Sequence, residues 1–260
     1  MNDPAFQRLH HLVGTSVLRS IHDTRIILFG VGGVGGWCAE ALVRSGIRHI
    51  ALVDDDTINI TNVNRQIQAT KGNVGASKVG QLRDRLLSID PGIEVEAMEM
   101  PYEKATQSLF DLGSYDYVLD AIDSYTEKLD LIEHAHKDGT TIFSSMGAAG
   151  RLDITRIRTA DLWEVRMDRF AKIVRKGLRR RGFSGRFRCV YSEEPAILPL
   201  TEPSDPSLDE EDCTAARSRD ARKHVINGSA VHVTAGFGMA LAGLVIQDIR
   251  SHCALESPSR

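Results

Sequence analysis

From residue 25 to residue 145 the apolar positions switch repeatedly between two spacings. Unbroken apolar runs of about five residues predict strands buried on both faces, and i, i+3, i+4 spacing predicts helices between them. The first run, 25–30, leads into a helical pattern over 34–45 that Gly46 closes. A second strand, His49 to Val53, ends at Asp54. Over 76–89, Val79, Leu82, Leu86 and Ile89 share one helical face, and Asp90-Pro91-Gly92 stops it. Ile93 to Glu99 alternates like a strand, Tyr117 to Asp123 reads as another, and a helix over 125–137 and a strand over 140–145 follow. A further helix is expected over about 4–21.

This βαβ rhythm predicts an α/β chain with a Rossmann-like, doubly wound, mostly parallel sheet and flanking helices. Ligands of such sheets bind beyond the carboxyl ends of the strands. Gly30, Asp54, Asp123 and the loop Gly147-Ala-Ala-Gly150 all fall there.

The second half reads differently. Leu152, Ile154 and Ile157 predict a strand, the stretch 161–181 a helix, and Phe187 to Ser192 another strand. Residues 195–212 hold four of the eight prolines and an acidic cluster, which predicts an exposed, mobile loop. No residue from Gly228 to Ile246 is formally charged. That span could cross a bilayer by length, but His232, Thr234 and four glycines interrupt it. A buried helix, packed on the sheet or on a dimer partner, is the better reading. The expected organisation is a single domain over 1–250, with a nucleotide-binding core at 25–150, a C-terminal extension at 151–250, and a tail at 251–260.

Composition adds little until it is read locally. With 42% apolar and 26% charged residues and a net charge of −3, the 260-residue chain has the balance of a soluble globular protein. The total conceals two opposed blocks. Residues 166–188 carry ten Lys/Arg and one acid, Asp168, whereas 193–212 carry eight acids and no Lys/Arg. The four cysteines form no Cys-x-x-Cys pair, which argues against a structural zinc site or a disulfide framework and fits a reducing, cytoplasmic setting. The N-terminus has no signal-peptide pattern.

The chemistry begins at Gly30-x-Gly32-Gly33-x-Gly35. Glycines between a strand and a helix let backbone approach a phosphate, and the helix start offers free N–H groups. Asp54, 24 residues after Gly30, stands where a carboxylate bonds the ribose hydroxyls, and Asp56 is placed to assist. An NAD site needs nothing more. This chain also has Asn62, Arg65 and Gln66 in a polar run no periodicity explains, with Arg65 suited to neutralising a departing pyrophosphate. Lys78 opens a helix, the unfavourable end for a cation, which suggests an anion held there. Asp123, with Asp120 as second choice, is the expected Mg2+ ligand. Together these suit an ATP site that attacks the α-phosphate.

Taken as a set, the glycine motif, Asp54, Asn62-x-x-Arg65-Gln66, Lys78 after Val74-Gly75, and Ala121-Ile-Asp123 resemble the ubiquitin-activating-enzyme-like, ThiF-type ATP-binding family, which adenylates carboxylates. Within it the chain looks most like the tRNA threonylcarbamoyladenosine dehydratases, on Asp120-Ala-Ile-Asp-Ser124, Gly147 to Asp153, Cys189-Val-Tyr-Ser192-Glu193 and Val233-Thr-Ala-Gly-Phe-Gly238. The likeness spans about 6–250. It implies an ATP- and Mg2+-dependent homodimer with Arg65 reaching into the partner's ATP site, a tRNA substrate carrying a modified adenosine in its anticodon loop, and room for a sulfur- or redox-relay protein partner. Arg65, Lys78 and Asp123 would then be catalytic. Arg169, Lys172, Arg175, Lys176, Arg179, Arg180 and Arg186 fit contact with tRNA phosphates. Two features depart from the family pattern: a lone Arg8 stands where relatives often offer two arginines, and Lys128 takes a place often held by Arg.

Three rival functions are weaker. An enzyme activating a ubiquitin-like sulfur carrier protein would share the ATP residues but usually carries zinc cysteine pairs. A dehydrogenase leaves Asn62, Arg65, Lys78 and Asp123 idle, and a non-catalytic subunit would have lost part of a set that is complete here.

Overall fold

β1 (Arg25–Phe29), β2 (His49–Val53), β3 (Glu94–Met98), β4 (Tyr117–Asp120), β5 (Thr141–Ser145), β6 (Ile157–Asp161) and β7 (Arg188–Ser192) hydrogen-bond into a seven-stranded sheet, ordered β3-β2-β1-β4-β5-β7-β6. Neighbours run parallel except β6, which is antiparallel to β7. The helices are α1 (Gln7–Asp23), α2 (Gly35–Arg44), α3 (Lys78–Ile89), α4 (Tyr125–Lys137), α5 (Arg169–Arg180) and α6 (Val231–Glu256). The computed structural model describes residues 3–197 and 228–256.

β1 shows why its sequence is apolar at every position after the exposed Arg25. Ile26 and Leu28 point into one hydrophobic cluster, shared with α1, α2, α3 and α6, while Ile27 and Phe29 point into the other, shared with α4 and α5. Both faces of the strand are thus covered, as parallel strands require. The chain winds outward from β1 through β2 to β3, then returns to lay β4 on the other side of β1. That reversal opens a crevice between the carboxyl ends of β1 and β4.

α6 closes one face of the sheet. Phe237, Leu241, Leu244 and Val245 are buried, and a Cβ on Gly238 would lie 2.5 Å from Val34 O and 2.8 Å from Cys38 N. Only glycine lets α6 come so close to the first turn of α2. Val231–Leu255 is long and apolar enough to cross a membrane, with mean hydropathy 1.3, yet half of its most apolar window is buried inside this fold.

Several boundaries differ from the sequence reading, two of them because an aspartate caps a new turn. The strand expected from Leu152 starts only at Ile157, because Asp153 caps a 3-10 turn at Ile154–Arg156 and leaves Leu152 and Ile154 exposed. The helix expected over 161–181 is shortened at its start. Asp161 caps a separate 3-10 turn at Leu162–Glu164, and Asp168 accepts from Ala171 N to begin α5 at Arg169. β4 stops at Asp120, three residues short of expectation. The N-terminal helix continues to Asp23 but breaks at Gly14, whose φ is 83°. From residue 198 the acidic loop lies outside the described residues. β6 and β7, from the second half of the chain, complete the same sheet as β1–β5.

Candidate active site

The glycine loop sits at the reversal point. Gly30 has φ 84°, and a Cβ there would lie 2.8 Å from Ala121 O, so the segments after β1 and β4 touch. A Cβ on Gly35 would fall 1.8 Å from Gly30 O. These two glycines make the turn itself possible. Gly32 and Gly33 do something else. Above Gly32 the nearest atom to an added Cβ is Gln66 Nε2 at 3.9 Å, and a Cβ on Gly33 would meet Arg65 Cγ and Thr234 Cβ at 3.3 Å. No side chain caps the start of α2; Gly36 N donates to Gly32 O at 3.0 Å, and the N–H groups of the first turn that remain are placed for an anion. An open glycine below an uncapped helix start fits a phosphate.

Asp54, after β2, accepts from Val31 N at 2.7 Å and from Asp56 N at 3.0 Å. Burial, with Asp56 adding to it, holds its carboxyl above the usual range, against the pull of Lys78. Lys78 opens α3 as expected, but its anion is in the protein: Nζ lies 2.5 Å from Asp56 Oδ2. Asp56 holds Lys78 through Oδ2, and its side chain is half exposed. The carboxylates of Asp54, Asp55 and Asp56 lie within 4.8 Å of one another, so Lys78 offsets a concentrated negative charge.

The polar run after β2 divides between scaffold and site. Asn62 is buried, and its Oδ1 accepts from Asn59 N at 2.9 Å in a reciprocal cap; it shapes the loop. Arg65 lies beside Gly33, but its guanidinium turns back to Thr61 O at 2.9 Å and Asn64 Oδ1 at 3.1 Å. Trp37 of α2 donates to Arg65 O, and Asn64 donates to Ser229 O just before α6. Gln66 is buried with its amide toward Gly32.

The two acids after β4 separate cleanly. Asp120 is fully buried and accepts from Lys128 Nζ at 2.7 Å, Ser144 Oγ at 2.6 Å and Ile122 N at 3.1 Å. Lys128 also donates to Ser145 O at 3.0 Å. Asp120 therefore joins β4, α4 and β5 beneath the crevice and has no face left for a metal ion. Asp123 is exposed in the loop beyond, and its carboxylate has no protein partner among the described residues. Its free oxygens suit a hard divalent cation.

The basic block also divides. Arg169, Lys172, Lys176, Arg179 and Arg180 are exposed on α5, with Arg179 lying over the Trp163 ring at 5.3 Å. Arg175 instead donates to Leu162 O and Val165 O, holding the turn before the helix. Arg186 pairs with Asp161 at 3.0 Å and Glu164 at 2.9 Å. Arg181 pairs with Asp130 and Glu133. Arg175 is thus spent on backbone carbonyls, while Arg186 is paired with acids at the exposed surface.

Three further residues carry more of this region than their sequence signal shows. Arg151, after the Gly147–Gly150 loop, bonds Asp168 at 2.7 Å, Gly147 O at 3.1 Å, and the carbonyls of Ser192 and Glu194. It ties the crevice rim to the residue that caps α5. Gln68 donates to Val31 O at 2.6 Å from a buried position. Lys128 drew notice only as a departure from the family pattern. An alternation of buried polar residues within a loop has no periodicity to announce it. Two of the thiols among the described residues are shut away from reaction: burial pushes Cys189 up to about 12 and raises Cys38 further.

The ThiF family model matches residues 6–249. The tRNA threonylcarbamoyladenosine dehydratase of Bacillus subtilis (strain 168) is 40% identical over 194 residues, which covers 74% of this chain and 76% of that protein. The tRNA threonylcarbamoyladenosine dehydratase of Escherichia coli (strain K12) is 31% identical over 250 residues, covering 94% and 92%. Solved structures of E. coli tRNA N6-threonylcarbamoyladenosine dehydratase, TcdA, are similar at 29% identity. The complex with AMP has a TM-score of 0.84 over 97% of this chain and 96% of that one, and the complex with ATP 0.82 over 98% and 97%.

Proposed function

The chain belongs to the ThiF family, and from that premise we propose that it catalyses ATP-dependent dehydration of the threonylcarbamoyl group on adenosine 37 of tRNA. The carboxylate of that group attacks the α-phosphorus of ATP and pyrophosphate leaves. The neighbouring carbamoyl then attacks the adenylated carbonyl, a ring closes, and AMP departs with the carboxylate oxygen. The balance is loss of one water from the nucleoside, and no protein nucleophile is required.

The open space over Gly32, facing an uncapped α2 and bordered by Asp54 and Gln66, carries this reading. In it Gly30, Gly32, Gly33 and Gly35 shape the phosphate loop, and Asp54 holds the ribose. Arg65 and Lys78 offset the charge of the departing pyrophosphate. Asp123 would hold Mg2+, which supplies charge neutralisation across the phosphates when bound. Arg169, Lys172, Lys176, Arg179 and Arg180 meet tRNA phosphates. We further propose a cytoplasmic homodimer acting as one adenylating domain over residues 1–250. Activation of a carrier protein is the weaker alternative, since the sequence has no Cys-x-x-Cys pair.

The test is mass spectrometry of nucleosides from tRNA incubated with the protein, ATP and magnesium. The hypermodified adenosine should lose the mass of one water, and Asp123→Ala should abolish both that loss and AMP formation. An unchanged nucleoside would remove the tRNA reading; undiminished AMP release by Asp123→Ala would remove the site assignment.

A further inference from the structure

Val31, in the middle of the glycine loop, is held by both of its backbone polar groups. Its N–H donates to Asp54 Oδ2 at 2.7 Å, and its carbonyl accepts from Gln68 Nε2 at 2.6 Å. Gln68 is only 4% exposed. The same Nε2 lies 3.5 Å from Gln66 Oε1, and Gln66 in turn presents its own Nε2 to the space over Gly32. The other end of the Gln68 amide, Oε1, is buried with no hydrogen-bond partner. It faces Gly36, where an added Cβ would stand 2.8 Å away.

An unpaired buried acceptor is costly, so the orientation of this amide is set by what its donor end achieves. Both atoms it addresses are oxygens. A reversed Gln68 would set an oxygen against Val31 O and, through Gln66, turn an oxygen toward the phosphate space. We propose that Gln68 is a positioning residue for ATP. It ties back the Val31 carbonyl and fixes the polarity of the Gln66 amide, so that the loop offers the triphosphate N–H groups and no carbonyl. The inference rests on the ATP-binding reading above and adds to it the residue that sets the loop's polarity.

Gln68→Glu and Gln68→Met test it, with binding of α,β-methylene-ATP and magnesium measured by calorimetry at about pH 5.5 and about pH 9.5, on either side of the titration of a buried Glu. The charged groups nearest this loop, Asp54 through Val31 N and Arg65 beside Gly33, are common to all three proteins. The ratio of variant to wild-type affinity therefore isolates the new carboxyl. Protonated, that carboxyl donates to Val31 O, and affinity stays within about threefold of wild type. Ionised, it repels Val31 O and attracts Gln66 Nε2 to itself, and relative affinity falls by about tenfold or more. Gln68→Met carries no charge and decides the matter if Gln68→Glu unfolds at the higher pH. It should bind roughly three- to tenfold more weakly at both. A relative affinity of Gln68→Glu that is the same at both pH values, or a Gln68→Met protein that binds like wild type, would overturn the proposal. Failure of the wild-type protein to bind the analogue at either pH would overturn the ATP reading itself.

Discussion

Lys128→Met removes the cation from a carboxylate that water cannot reach. In the folded protein Asp120 and Lys128 are both 0% exposed, 2.7 Å apart. Without the ammonium, Asp120 keeps two donors, Ser144 Oγ at 2.6 Å and Ile122 N at 3.1 Å. Breaking a buried pair on one side typically costs about 3–5 kcal/mol, because a charge remains uncompensated in a medium that solvates it poorly. Against a whole-protein stability of about 5–15 kcal/mol that is a large share. At roughly 2–4 °C per kcal/mol for a chain of this size, the melting temperature should fall by about 6–20 °C. The double variant Asp120→Asn/Lys128→Met removes both charges, while the amide oxygen still accepts from Ile122 N and the amide NH2 takes the place of the oxygen that faced Ser144 Oγ, to which it can donate. It should recover to within about 2 kcal/mol of wild type. Urea denaturation followed by the fluorescence of Trp37 and Trp163 measures all four corners of the cycle. A Lys128→Met loss below about 1 kcal/mol, or a double variant as unstable as the sum of the singles, would refute the buried-pair account. So would a stable Asp120→Asn protein that no longer responds to magnesium, since Asp120 would then be the metal ligand.

Two other outcomes follow from the site. Replacing Arg169, Lys172 and Lys176 by Ala should weaken tRNA binding and flatten its salt dependence by about 0.7–0.9 in log–log slope for each phosphate no longer neutralised; Arg175→Ala should lower stability and leave that slope unchanged, because its guanidinium is spent on Leu162 O and Val165 O. The raised pKa of Asp54 gives opposite signs for activity and stability. The fold binds that proton more tightly than the unfolded chain, so the stability contributed is present at low pH and lost as pH rises through the raised value. ATP-analogue affinity, which needs the carboxylate, should instead fall as pH drops through the same value. Calorimetry and thermal melts across about pH 4–7 would show both trends, and Asp54→Asn should abolish both, since its amide does not titrate. A single direction for both would contradict the assignment.

What the sequence determined by itself is the sheet and the line of the crevice. The runs at 25–30 and 49–53 are apolar at every central position because both faces of β1 and β2 are covered, and that demand is written locally. The glycine motif was legible for the same reason: Gly30 and Gly35 are held to glycine by the backbone packed against them, in Gly35's case only five residues away. What the tertiary structure decided is which charged residues are spent. Asp120 and Asp123 are near neighbours in sequence, yet one is buried against Lys128 and the other exposed, a difference set by where β4 stops against β5. Arg175 and Lys176 are adjacent and divide in the same way: Lys176 faces outward, while Arg175 is drawn to carbonyls of the preceding turn. Gln68, Arg151 and Lys128 find their partners 37, 17 and 8 residues away. A polar side chain acquires its role from the groups that desolvate and pair it, and those are assembled only when distant segments close over it.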